Sequence, residues 1–477
     1  MKMYDVAIIG AGVVGAAIAR ELARYNLKVT ILEKENDVCM GTSKANSAIV
    51  HAGYDPPEGS LMARLNVEGN ALYETLCQEL SVPFKRNGAL VLAFDEEELA
   101  HIEALKQRGT SNGVPSLEIL TREELLEKEP NVNPEAKGAL WAKTGALVDP
   151  MLLTIALVEN AVQNGVDCRL RFPVVSITRE EGGYRVSSQE QEIKAKYVIN
   201  AAGVYADKIR GMVAPPTFEM KPRRGQYFLL DKAEGNIIKS TIFPCPGKGG
   251  KGILVVPSVH GNVLLGPASD DLLKREDVAT TEEVLHEVRV GARYLVPDIS
   301  VWSCIRTFAG VRATTDDDDF IIQEVLAAPG FIDVAGIKSP GLTAAPAIAH
   351  YVISILQEKG VELVKKENFD PIVERVLTMA MSEEERDKKI MENQLYGRVV
   401  CRCENITEGD IVDAIHRNPE ATTLDGVKRR CRAGMGRCQG GFCGPKVQKI
   451  IARELNKPLE EIVLEKDGSY ILTGRTK

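Results

Sequence analysis

Aromatic side chains are scarce in this 477-residue sequence, at 5% with two tryptophans, and their shortage accompanies a lack of long apolar runs. None reaches the ~18 residues that a membrane span requires. No basic region precedes an apolar stretch and cleavage site at the N-terminus, so a secretory leader is not expected and a cytoplasmic protein is. Excess positive charge is also missing: the formal net charge is −8, which argues against a chain built to track nucleic acid. A small anionic substrate would therefore need a local basic pocket. Cysteine is too sparse for a small secreted disulfide scaffold, with ten in all, and five of these fall between 401 and 443. That grouping points to metal or redox chemistry in a reducing compartment. Cys39, Cys77, Cys168, Cys245 and Cys304 are scattered and read as small buried hydrophobes. What remains, 44% hydrophobic and 26% charged, suits a soluble globular protein. Its length implies about two to four domains.

The run "YDVAIIG" reads as a buried parallel strand and feeds into Gly10-x-Gly12-x-x-Gly15 and the helical pattern "AAIARELARYN". Gly10 permits a tight turn, Gly12 lets a pyrophosphate approach the backbone, and Gly15 allows close helix–strand packing. The helix N-terminus adds N–H groups and a positive dipole end. A second strand, "KVTILEK", ends near Glu33, whose carboxylate can accept the ribose hydroxyls of an adenosine. Dinucleotide binding is expected, and the motif leaves FAD and NAD open.

The segment "GTSKANSAIVHAGYD" from Gly41 is rich in small and hydroxyl side chains. It resembles the flavin-facing segment of D-amino-acid-oxidase-like FAD oxidoreductases, in the branch holding glycerol-3-phosphate oxidases and dehydrogenases and L-2-hydroxyglutarate dehydrogenases. "GALVDP" at 145–150, "YVINAAGVYAD" at 197–207, "FAGVRA" at 308–313 and "GIKSPGLTAAPAIAHYV" at 336–352 match that family in order. The resemblance implies FAD as cofactor. Its site would draw on Gly10, Gly12, Gly15, Glu33, Thr42, Ser43, Ser47, Val175, Ala202, Gly203, Gly341, Leu342 and Thr343. Gly341 opens an apolar helical pattern whose N–H groups could stabilise negative charge on a reduced flavin. The membrane-bound glycerol-3-phosphate dehydrogenases of the branch end this last segment differently from "SPGLTAAP", which aligns the chain with the shorter members.

Oxidising a secondary alcohol leaves a hydroxyl proton to be removed, and histidine is the natural base. Of six histidines, His51 alone lies in the flavin-facing segment. His101, His286, His350 and His416 lie in helical patterns, and His260 in a turn. The resemblance assigns His51 as base and Arg312 as the arginine for the substrate's anionic end. Lys251, in "GKGGKGILVVPS", is a second candidate cation, with a solvated loop tip the equal alternative for it and Lys248. Ser339 could hydrogen-bond substrate or flavin. The acids in "TTDDDDF" at 314–320 read as a solvated loop.

From about 371 the composition changes: a charged helix or linker occupies 371–395, and a new unit follows. Cys401 and Cys403 form C-x-C; after 34 intervening residues Cys438 and Cys443 form C-x4-C, flanked by glycine turns. By spacing, zinc and an iron–sulfur cluster are both open. "CRCENITE" with "KRRCRAGMGRCQGGFCGP" is similar to bacterioferritin-associated-ferredoxin-like [2Fe–2S] domains over 396–455. That likeness implies Cys401, Cys403, Cys438 and Cys443 as ligands, with Cys431 extra. The tail, 456–477, carries an Asp-Gly hairpin signal.

The expected fold is α/β, a Rossmann-like FAD-binding domain (about 1–80, 145–219, 309–370) with an inserted mixed-sheet substrate domain (about 81–144, 220–308), then a small helical cluster domain. The expected function is a dehydrogenase oxidising sn-glycerol 3-phosphate to dihydroxyacetone phosphate. Its electrons would leave singly through the cluster to a second FAD/NAD(P) oxidoreductase or a quinone-linked subunit. Rivals are a 2-hydroxy acid such as L-2-hydroxyglutarate, an amine or amino acid, and an electron-transfer subunit that has lost substrate chemistry.

Overall fold

The structure, a computed structural model, describes residues 3–247, 252–272 and 274–474. Lys248 and Lys251 lie outside the described residues.

Strand Met3–Ile9 is the centre of a parallel array because its residues Val6 to Ile9 are buried on both faces. Its neighbours are Val29–Leu32 on one side and Glu192–Asn200 on the other, all parallel. Asp167–Arg169 and Phe331–Ala335 extend the two flanks, and an antiparallel hairpin, Ser176–Glu180 with Gly183–Ser187, joins the far edge. Helices Val13–Leu22, Leu61–Glu79, Pro150–Gln163 and Gly341–Glu358 cover this sheet through Ile18, Leu65, Ile155 and Ile348. Helices Leu61–Glu79 and Gly341–Glu358 approach so closely that a Cβ on Gly69 would stand 2.1 Å from the Thr343 carbonyl oxygen.

A second, nine-stranded sheet is assembled from two stretches of chain, 89–142 and 223–312. It is antiparallel except where Thr241–Pro244 runs parallel to Ala89–Ala93, so the sheet is mixed. Strand Cys304–Arg312 pairs with Arg223–Leu230 and carries the chain back to the first sheet. The architecture is thus an α/β FAD-domain fold with an inserted mixed sheet.

After the capped helix Glu383–Glu392, three short helices, Glu408–His416, Leu424–Cys431 and Gly444–Glu454, close around Ile411, Ile415, Val427 and Ile451. This unit is bolted to the first sheet: Asp37, just beyond strand Val29–Leu32, takes Arg430 at 2.8 Å and Arg429 at 2.8 Å, all three buried. The tail turns at Asp467–Gly468, with Val463 bridged to Tyr470. The acidic run at 316–319 is not wholly a solvated loop. Asp316, Asp317 and Asp318 are exposed, but Asp319 accepts the Leu61 and Met62 N–H groups at 2.7 and 2.8 Å and so caps a helix distant in sequence.

Candidate active site and metal centre

The two sheets and the cluster unit's tail enclose a cavity of about 980 Å³, at the upper end of ligand pockets. At one end Gly10 adopts φ +104°, and a Cβ there would meet the Ala201 carbonyl oxygen at 2.6 Å. A Cβ on Gly15 would strike the Gly10 oxygen at 2.0 Å, so Gly15 packs the helix onto the turn and does not line the cavity. Gly12 begins helix Val13–Leu22 with no side-chain cap, and Ser43 Oγ accepts the Val13 N–H at 2.9 Å. Glu33 is held by N–H groups of Ala11 at 2.9 Å and Glu35 at 3.0 Å, and burial pushes its pKa up. Gly10, Gly12, Glu33, Thr42, Ser43, Ser47, Ala202, Gly203, Gly341 and Leu342 all line the wall.

Two expected positions fall elsewhere. Val175 is 48% exposed and outside the wall, where its neighbour Val174 stands, because Val175 serves the adjacent hairpin through its backbone. Thr343 is fully buried behind the wall, and its Oγ1 accepts the His51 N–H at 2.8 Å.

His51 lines the cavity's other end, with Ser339 Oγ 3.3 Å from its Nε2. The His51 carbonyl accepts from Asn66 Nδ2 at 3.2 Å and Asn70 Nδ2 at 2.9 Å. Arg86 donates to Asn70 Oδ1 at 2.8 Å. Arg312 sits on the wall, donating to Ser269 Oγ and the Ala268 carbonyl, each at 3.2 Å. Nearby Arg223 and Arg275 are neutralised by Asp271 and Asp207. Among the described residues no carboxylate pairs with Arg312. Tyr227, stacked on Phe308 at 4.7 Å and 3.3 Å from Ser47 Oγ, also lines the wall and escaped sequence reasoning. Its strand, Arg223–Leu230, carries no motif to mark it.

The cysteines pair across the motif, not within it. Cys403 and Cys438 sulfurs lie 3.9 Å apart, and Cys401 hydrogen-bonds with Cys443. That bond, against burial and with backbone N–H groups of Gly434, Glu404 and Cys403, brings the Cys401 thiol down to about 6. Backbone N–H groups of Phe442, Gly440 and Gly441 likewise lower Cys438. Among the described residues no three His, Cys, Asp or Glu side chains converge on one point. Two thiol pairs with N–H groups aimed at sulfur fit a binuclear [2Fe–2S] centre better than one tetrahedral zinc. Cys431 hydrogen-bonds the Val427 carbonyl, and burial pushes it up to about 12. It packs in the same helical core that holds Cys401 and Cys443, with its hydrogen bond turned to its own helix.

Residues 5–355 match the FAD dependent oxidoreductase family (DAO), and residues 399–453 match the BFD-like [2Fe-2S] binding domain. A glycerol 3-phosphate dehydrogenase of Caloramator mitchellensis is 53% identical over 476 residues, covering 100% of this chain and 99% of its own. A glycerol 3-phosphate oxidase of Mycoplasma pneumoniae is 36% identical over 78% of this chain and 98% of its own. The solved structure of a dithionite-reduced L-alpha-glycerophosphate oxidase from Mycoplasma pneumoniae with FAD bound superposes with TM-score 0.73 at 35% identity, over 78% of this chain and 99% of that one. The glycine cradle, the buried Glu33 carboxylate and the thiol pairs belong to one kind of molecule: this chain is an FAD-dependent oxidoreductase of the DAO family that carries a [2Fe–2S] domain.

Proposed function

We propose that the chain oxidises sn-glycerol 3-phosphate to dihydroxyacetone phosphate and exports the electrons through its cluster to a partner protein. The observation that carries this reading is Arg312: a guanidinium lining the same cavity as His51, without a carboxylate partner among the described residues. Such a group awaits an anion, and arginine suits a phosphate. The 53% identity to a glycerol 3-phosphate dehydrogenase over the whole chain supports phosphate as that anion.

FAD when bound supplies a two-electron acceptor, and the cluster a one-electron relay. The chain's own residues do the rest. Arg312 binds the substrate phosphate and fixes its distance from the cavity floor. His51 receives the hydroxyl proton at Nε2, and Ser339 beside it orients ring and hydroxyl. Thr343, Asn66 and Asn70 hold the His51 backbone, which sets where that nitrogen points. The N-terminus of helix Gly341–Glu358 places a positive dipole end at the cavity, where negative charge accumulates as the substrate is oxidised.

Export is supported by position. Cys403 is exposed and Phe442, beside Cys443, is 84% exposed, a face open to a partner. Strand Cys304–Arg312 joins the two centres: Arg306 reaches Gln439 of the cluster loop at 3.3 Å, and Ala309 to Arg312 line the cavity. Steady-state assays with a one-electron dye under nitrogen test the substrate. Glycerol 3-phosphate should exceed L-2-hydroxyglutarate and amino acids in kcat/KM by at least about 100-fold, the scale of a lost charged contact. Parity with L-2-hydroxyglutarate would overturn the reading. Co-purification from the native source should yield a stoichiometric redox subunit, and full activity of the isolated chain with oxygen alone would contradict export.

A further inference from the structure

The C-terminal segment lies beyond both family matches, which end at 355 and 453, yet Glu465 and Lys466 line the flavin-site cavity. They reach it as part of a strap laid across the FAD domain. Arg171 grips the Asp467 carboxylate with two bonds, at 2.8 and 3.0 Å. Asn36 donates to the Glu465 carbonyl at 2.9 Å and to Asp467 Oδ1 at 3.2 Å. Glu465 itself bonds Lys44 and, at 3.1 Å, Arg429 of the cluster unit. The strap is also stitched to that unit's own helix, Asp425 N–H donating to the Leu464 carbonyl at 2.9 Å.

The partners on the FAD domain, Asn36, Lys44 and Arg171, cluster around one end of the site. Asn36 and Arg171 flank Glu33, the ribose carboxylate, whose N–H is bonded to the Arg169 carbonyl. Lys44 follows Ser43, whose hydroxyl sits at the start of the diphosphate-facing helix. Lys466 Nζ stands 3.6 Å from Glu35, two residues past Glu33. Lys466 lines the cavity at that end, so its half-exposed ammonium, within reach of Glu35, also faces the anionic dinucleotide that the cavity would hold.

We propose that Lys466 is an FAD-binding residue supplied by the cluster unit's tail, so that docking of the cluster unit and retention of FAD reinforce one another. The oxidase relative consumes 98% of its own length in matching 78% of this chain, and its FAD-bound structure does likewise. FAD is therefore held in the family without such a strap, and in this chain the strap adds grip to a site already complete. Because the coupling is an equilibrium one, it is reciprocal.

The test uses the full chain with its cluster intact, stripped of FAD and titrated with FAD by flavin fluorescence quenching. K466E should weaken FAD binding by about tenfold and K466A by about fivefold, the upper range for a partly exposed charge. K466R should bind as the parent does. Iron content and unfolding temperature serve as controls for the cluster unit's fold. FAD affinity of K466E within twofold of the parent, at unchanged iron content, would overturn the proposal. No substrate enters this experiment, so its outcome is independent of what the enzyme oxidises.

Discussion

His51 is gripped through its own peptide groups: Thr343 takes its N–H, and Asn66 and Asn70 its carbonyl, with Arg86 behind Asn70. Removing the imidazole should leave this frame standing. H51A should therefore retain FAD, by its absorbance after gel filtration, while kcat falls by about 10²–10⁴-fold. Unchanged kcat would end its assignment as base. At Arg312 the expected signature differs, because that contact exists before and during reaction. R312A should raise KM for glycerol 3-phosphate by roughly 10- to 150-fold, the worth of a hydrogen bond to a charged group, read from initial rates under nitrogen. The places of His51 and Arg312 on the cavity wall were legible in the sequence, because each sits in a contiguous family segment. Asn66, Asn70, Arg86 and Tyr227 were not. Their roles arise from contacts made by folding, and polar residues on a helix or a strand carry no local mark of that.

At the scale of elements, glycines decide how closely segments approach. A Cβ on Gly436 would lie 2.3 Å from the Cβ of Cys403, so this turn exists only because the side chain is missing. G436A should lower iron per chain, measured by colorimetric assay, and leave FAD content at the parent level. Normal iron content would show that the loop can yield. The strand–turn–helix around Gly10, Gly12 and Gly15 was readable because its geometry is imposed by neighbours in the chain. The cysteine pairing was not readable. C-x-C and C-x4-C suggest partners adjacent in sequence, but the fold lays Cys443 against Cys401 and Cys438 against Cys403. Asp319 shows the same limit: a run of four acids looks solvated until a helix N-terminus 258 residues away comes to meet it.

Across the whole molecule, the cluster unit is fastened by buried charge. Burial pushes Asp37 up, but Arg430 and Arg429 outweigh it and hold its carboxyl at about 2, below the ordinary 3.8. Because the folded value is the lower one, this clamp is at full strength above about pH 4 and is lost as pH falls through 2. D37N leaves Arg430 buried without its counter-charge, at a cost of about 3–5 kcal/mol. Limited proteolysis of the 371–395 connection at pH 7 should then be faster in D37N than in the parent, and equal rates would show that the clamp is dispensable. The clamp and the strap give the FAD domain and the cluster unit one shared interface, with strand Cys304–Arg312 touching both centres. Passage of electrons from glycerol 3-phosphate through FAD to the cluster of the same chain can be read in one anaerobic titration with that substrate, following the flavin and cluster absorption bands together. Both bands should bleach, approaching about three electrons per chain, two at FAD and one at [2Fe–2S]. Bleaching of the flavin with the cluster band unmoved, or no bleaching of a flavin that light can still reduce, would contradict that passage of electrons.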